Sequence, residues 1–244
     1  MDFLWYDRVY GFANKQSKHM NGGFFMIKAV VFDFDGLIID TETVWYEAFK
    51  EVLQAYNVRY PLEEFVKVIG THDALLNQFL EAKVGLAETT VVRKLAKESY
   101  LVKIQASEIR DGVKDYLETA RELGLKIGLA SSSNRAWVEG YLKQLGILDY
   151  FEVIKTGDQV EKVKPDPALY IKAIEELGVA ADEAIAFEDS SNGAKAAKAA
   201  GLHCVIVPNE VTKSIIFDQY DLRIHSMSEM SLQEVIEYLE KICD

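Results

Sequence analysis

The 244-residue sequence is poor in the features of a cross-linked, membrane-spanning or nucleic-acid-binding chain. It holds two cysteines, Cys204 inside an apolar run and Cys243 beside the last residue, so neither a disulfide framework nor a cysteine metal knuckle is expected. No stretch approaches the roughly 20 apolar residues that cross a bilayer, and a membrane partner is not expected. Basic charge is short: 27 Lys and Arg stand against 39 Asp and Glu, a formal charge of -12. A broad basic surface for a phosphate backbone is therefore excluded, and nucleic acid with it. No fixed-period repeat or low-complexity tract is present. The first 25 residues also lack the form of a signal peptide, since an aromatic start is broken by Asp2, Asp7 and Arg8 and no apolar segment follows. They read as an appendage ahead of a clean strand that opens at Met26, and a cytoplasmic location is the default expectation.

What is present describes a globular chain, with 49% hydrophobic and 27% charged residues. Its length accommodates one large core and a smaller accessory unit. Residues 27–34, IKAVVFDF, are apolar and β-branched and too short for an ordinary helix, which predicts a buried parallel strand. Helical spacing without strand signals then covers residues 42–56, 62–69, 74–84 and 87–104, a four-helix insertion. From residue 111 the pattern alternates: helix 113–123, strand 125–130, helix 135–145, strand 151–155, helix 168–177, strand 184–187, helix 192–200, strand 203–207, a short strand 222–225 and a last helix 232–242. Gly124, Gly146, Gly178 and Gly201 follow helices as stops. The expected fold is α/β, a doubly wound, Rossmann-like parallel sheet with an inserted helical cap. The expected division is 1–25 extension, 26–40 and 111–244 core, and 41–110 cap.

In such sheets ligands lie outside the carboxyl ends of the strands. Reading those positions gives Asp33 and Asp35, then Ser131, then Lys164, then Glu188 and Asp189. Two carboxylates at the end of an apolar strand are costly to bury without a compensating charge, and a divalent cation supplies it. Magnesium takes oxygen ligands, and Asp33 and Asp189 from two strands suit it. Ser131, with Asn134 as N-cap of the next helix, offers a hydroxyl and free N–H groups to a phosphate, though turn chemistry explains a serine there equally well. Lys164 precedes Pro165, with Asp166 and Pro167 at the N-cap and first turn of the next helix, which sets the lysine at a loop edge facing the strand ends.

Four ordered motifs, DFDGLIID (Asp33 to Asp40), LASSSN with Ser131, KPDP with Lys164 and FEDSSNG with Glu188 and Asp189, resemble those of the haloacid dehalogenase superfamily, in its β-phosphoglucomutase-like and phosphoglycolate-phosphatase-like branch. The resemblance runs from Met26 to about Val207. It implies a phosphoric monoester hydrolase with Asp33 as nucleophile and Asp35 as acid and base. It further implies magnesium held by Asp33, the Asp35 carbonyl and Asp189, with Glu188 as ligand or orienter of bound water. Ser131 and Lys164 would hold the transferring phosphoryl group, and the helical insertion would be a mobile cap. Glu42, Gly70, Thr71, His72 and Lys103 are the cap candidates for choosing a small phosphorylated metabolite, and a monomer suits a hinged enzyme.

The rival reading is a sugar-phosphate mutase built on the same core. Mutases carry a histidine where this chain has Trp45 and an arginine where Asp73 falls. Dehalogenation needs neither Asp35 nor Asp189. A non-catalytic receiver-like phosphoacceptor would share the sheet and lysine but lack the helical insertion.

Overall fold

A computed structural model describes residues 27–69 and 74–243. The expected N-terminal appendage lies outside the described residues, as do Gly70, Thr71, His72 and Asp73.

The described residues open with β1 (Ala29–Phe32), and helices α1 (Thr41–Ala55), α2 (Leu62–Val66), α3 (Ala74–Val84) and α4 (Leu86–Lys103) are inserted before the sheet resumes. Then follow α5 (Val113–Glu122), β2 (Lys126–Ser131), α6 (Arg135–Gln144), β3 (Val153–Thr156), α7 (Ala168–Leu177), β4 (Ala184–Glu188), α8 (Ser191–Ala199), β5 (His203–Ile206), β6 (Leu222–Arg223) and α9 (Leu232–Cys243). The sheet order is β3-β2-β1-β4-β5-β6 and every pairing is parallel. This is the expected α/β fold with its helical insert between the first two strands.

β1 sits centrally because all four of its residues are apolar and buried. Val30 and Phe32 face one apolar layer with Tyr116, Leu129 and Phe187, whereas Ala29 and Val31 face the other with Tyr170, Ala186 and Ile206. Phe32 and Phe187 stack with ring centroids 5.2 Å apart, which fixes β1 beside β4. Each such buried large side chain contributes about 1.5–3 kcal/mol over exposure.

In the insert, Asp40 caps α1 by accepting the Thr43 N–H at 3.0 Å and its hydroxyl at 2.8 Å. Phe49, Leu53, Tyr60, Phe65, Leu80 and Val92 then form a second apolar cluster within the insert, which Val211 from the stretch after β5 joins. Arg110 closes the insert's return: its N–H bonds the Ile38 carbonyl at 2.9 Å. Its guanidinium donates to the carbonyls of Gly36, Val207 (3.2 Å) and Pro208 (2.7 Å). No described helix is long and apolar enough to cross a membrane.

Some boundaries differ from expectation. β1 stops at Phe32, two residues early, because the chain turns at residues 35–39 to present Asp33 and Asp35, although the Asp33 N–H still bonds the Phe187 carbonyl at 3.0 Å. α2 ends at Val66 rather than residue 69. The N-cap residue of α7 is Pro167; Asp166 acts one residue earlier, accepting the Ala168 N–H at 3.0 Å. Asn134 caps α6 as expected, through the Trp137 N–H at 2.9 Å.

Candidate active site

Parallel pairing sends the ends of β1, β2 and β4 to one edge. Phe32 registers with Phe187, so Asp33, next in sequence, emerges beside Glu188. Asp189 follows directly, and ligand oxygens of Asp33, Glu188 and Asp189 lie within 4.8 Å of one another, all three residues buried. Two glycines permit this crowding. A Cβ on Gly36, whose φ is +85°, would fall 2.1 Å from Asp189 Oδ2, and one on Gly193 would fall 1.9 Å from Glu188 Oε2.

Among the described residues, Lys164 supplies the one buried cation hydrogen-bonded to this cluster. Its Nζ donates to Asp33 Oδ1, to Glu188 Oε1 at 2.6 Å and to the Ala130 carbonyl at 2.7 Å. Tyr170, from the first turn of α7, donates to the same Glu188 oxygen at 2.6 Å and places its ring 4.9 Å from Nζ. One positive charge among three carboxylates leaves the cluster short of cation. Burial outweighs Lys164 and raises the Asp33 carboxyl to about 8. Burial, with Asp33 and Glu188 beside it, pushes Asp189 well above the usual carboxylate range. Burial alone would lower Lys164, but Asp33 and Glu188 prevail and raise it, so it stays charged.

The residues fit a hard divalent ion. Asp189 Oδ2 accepts from Asn209 Nδ2 at 2.8 Å, while Asp189 Oδ1 is buried with no hydrogen-bond partner. An orphaned oxygen on one of three clustered carboxylates, with no thiol or imidazole in the set, matches the oxygen chemistry of magnesium.

Asp35 lies beyond this cluster, half-buried. Its Oδ2 accepts from Ser133 Oγ at 2.6 Å and Ser131 Oγ at 3.3 Å, and its Oδ1 accepts from Trp137 Nε1 at 3.0 Å. Burial raises its pKa while those donors oppose the rise. The Ser131 hydroxyl, expected to face a phosphate, is buried and turned onto Asp35, and it accepts the Ser133 N–H at 3.0 Å. The neighbouring Ser132 is exposed and lines the cleft.

Two cavities meet at Asp35. One, of about 530 Å³, is lined by Asp33, Ser132, Lys164 and Asp189. The other, of about 450 Å³, is walled by Trp45, Lys97, Tyr100 and Trp137. Asp35, Glu42 and Ser132 border both.

A protein-family model described as "Haloacid dehalogenase-like hydrolase" matches residues 30–207, the span that holds every one of these strand ends. The chain belongs to the haloacid dehalogenase-like hydrolases. YhcW of Bacillus subtilis strain 168 is 48% identical over 216 residues, covering 88% of this chain and 98% of its own. The "Phosphorylated carbohydrates phosphatase" of Thermotoga maritima is 32% identical over 180 residues, 72% of this chain and 82% of its own. Among solved structures, a variant of CbbY from Rhodobacter sphaeroides in complex with xylulose-(1,5)bisphosphate is 28% identical, with a TM-score of 0.67 over 84% of this chain and 96% of that one.

Within this haloacid dehalogenase-like framework the insert departs from expectation at one lysine. Lys103 pairs with Glu51 at 3.0 Å and lines neither cavity. Lys97, Tyr100 and Leu101 form the cleft-facing stripe of α4 at spacings of three and four, and Lys103, two residues past that stripe, is rotated off it. Glu42 does reach the cleft. Burial, with Asp35 and Asp40 nearby, raises its carboxyl to about 7.

A raised carboxyl weakens the fold as pH climbs from its unfolded value of 4.5 to its folded value of about 7, and the penalty is constant above that. Glu42→Gln is therefore expected to gain up to about 3 kcal/mol at pH 8 in chelator and to flatten the fall in Tm between pH 5 and pH 7. Melting curves across that range check this; a Tm difference that does not grow with pH would contradict it.

Sequence reading missed Asn209, Arg110, Tyr170, Ser133 and Trp137. Asn209 was findable, since it comes shortly after β5 and the strand-end rule applies to β5 as well. Its amide reaches Asp189 and the Gly36 carbonyl (3.3 Å), and its Oδ1 is fixed by the Val211 and Thr212 N–H groups. Tyr170 and Trp137 sit inside helices, where an aromatic at helical spacing reads as ordinary core.

Proposed function

We propose that this chain is a magnesium-dependent phosphatase of a small phosphorylated metabolite, sugar-phosphate-like, working through an aspartyl phosphate on Asp33. The convergence of carboxylate oxygens of Asp33, Glu188 and Asp189, with Asp189 Oδ1 orphaned and Lys164 against the cluster, carries the reading. The Thermotoga relative named for phosphorylated carbohydrates and the CbbY complex with a sugar bisphosphate support the substrate class.

Asp33, Glu188, Asp189 and the Asp35 carbonyl would hold the ion. Bound there, magnesium would neutralise phosphoryl and carboxylate oxygens that otherwise repel one another. Lys164 engages Asp33 Oδ1, which leaves the second carboxylate oxygen for in-line attack on phosphorus. As that bond forms, the phosphorus–oxygen bond to the alcohol breaks and Asp35 gives the departing oxygen its proton. Water then attacks the aspartyl phosphate, Asp35 takes the water's proton, and inorganic phosphate leaves with the Asp33 carboxylate restored. The second cavity, across Asp35 from Asp33, would receive the alcohol, with the stacked Trp45 and Tyr100 as an apolar wall and Glu42 and Lys97 offering polar groups to its hydroxyls.

Assaying phosphate release from a panel of sugar phosphates, with magnesium and with chelator, tests this. Turnover is expected with magnesium alone, together with a magnesium-dependent rise in Tm. Undiminished turnover in chelator would remove the metal from the reading. Interconversion of β-glucose 1-phosphate and 6-phosphate outpacing phosphate release would make the chain a mutase.

A further inference from the structure

We propose that Trp137 is the positioning residue for Asp35, held in place by stacking on the helical insert; this rests on the phosphatase reading above. Asp35 has two oxygens with unequal support. Oδ2 accepts from two serine hydroxyls, which rotate freely onto other acceptors. Oδ1 has Trp137 Nε1 at 3.0 Å, a donor fixed in the plane of a rigid ring.

That ring is held from both sides of the cleft. Its own helix packs Tyr141 against it at 4.6 Å, and Tyr100 of α4 lies nearly parallel at 6.0 Å. Tyr100 in turn stacks on Trp45 of α1 at 3.9 Å and 9°. The row Trp45, Tyr100, Trp137 therefore runs from the insert into the core and ends on the carboxylate that must deliver a proton and later remove one. An error of about 1 Å in such a group costs on the order of a hundredfold in rate.

Trp137→Phe keeps an aromatic ring in the stack and removes the indole N–H. The test is the time course of p-nitrophenolate release when the magnesium-loaded variant meets excess p-nitrophenyl phosphate. In the first transfer the phosphorus–oxygen bond to p-nitrophenolate breaks as Asp33 bonds to phosphorus, and that leaving group departs without a proton. In the second, water replaces Asp33 on phosphorus and its proton must go to Asp35. The variant is expected to show a burst of about one p-nitrophenolate per site, then a steady rate ~10- to 100-fold below the native chain. A sugar phosphate, whose alkoxide needs its proton at once, should slow at least as much and show no burst.

Tyr100→Leu unstacks Trp137 while sparing its N–H, and should give the same burst with a smaller fall. Circular dichroism and Tm confirm folding of each. A folded Trp137→Phe with a steady rate within twofold of native, or one that slows without a burst, would overturn the proposal. So would a Tyr100→Leu variant that folds and behaves as native. Inactive Asp33→Asn beside a native-like Trp137→Phe sinks this inference alone, whereas an active Asp33→Asn overturns the phosphatase reading with it.

Discussion

Asp33→Asn is expected to fold normally and to lose at least about a thousandfold in kcat/KM, roughly 4 kcal/mol of transition-state stabilisation. The side chains share a shape, so Lys164 keeps an oxygen to donate to, and the hydrogen bonds around the site survive. What the amide loses is the negative oxygen that attacks phosphorus. Stability should not fall. The Asp33 carboxyl is raised to about 8, so ionising it costs the folded state as pH climbs from 3.8 to that value, and removing the ionisable group removes the cost. The two effects separate a lost nucleophile from a damaged fold. Phosphate release by the variant, its Tm, and acid-quenched native enzyme searched for a phosphorylated peptide containing Asp33 check the prediction. Residual turnover within tenfold of native, or a phosphoryl group on another residue, would take Asp33 out of the role.

The part of this site legible in the sequence is the part fixed by strand ends. An apolar run too short for a helix can only be a buried strand here, and a carboxylate immediately after it has one place to go. That logic found Asp33, Glu188 and Asp189, and the structure places their oxygens within 4.8 Å of one another. Lys164 followed from Pro165 and the helix beyond. Residues whose role depends on tertiary rotation escaped. Nothing in the local pattern distinguishes Lys97 from Lys103, since only the packing of α4 against α1 decides which side of the helix sees the cleft. Trp137 would be read as core until its indole N–H is seen 3.0 Å from Asp35. Arg110 follows a helix in an unremarkable charged stretch, yet its guanidinium holds the carbonyls of Gly36, Val207 and Pro208 together. Backbone carbonyls as partners leave no trace in the residue types of the sequence.

Lys164→Met should be the most destabilising single change at the site, and its cost should depend on both pH and magnesium. Methionine fills a similar volume, so packing changes little and electrostatics decides. In the native chain Nζ lies between Asp33 and Glu188, with both lysine and Glu188 almost fully shielded from water. Removing one partner of a buried pair leaves an uncompensated charge, a loss of about 3–5 kcal/mol. The cluster has one escape, which is to take up protons. Below about pH 5 Asp33, raised to about 8, is protonated and the missing cation matters less. Asp33 lies at about 8 with Lys164 holding it down, so without the lysine its carboxyl goes higher still and the cost grows as pH climbs past 8. Urea unfolding in chelator should therefore show a smaller difference between variant and native chain at pH 5 than at pH 9. Saturating magnesium at pH 9 should restore part of it, because a divalent ion among the same oxygens supplies the charge that the lysine no longer does. A loss below about 1 kcal/mol at pH 9 would mean that the carboxylates are screened by water. A loss independent of magnesium would mean that the ion binds elsewhere.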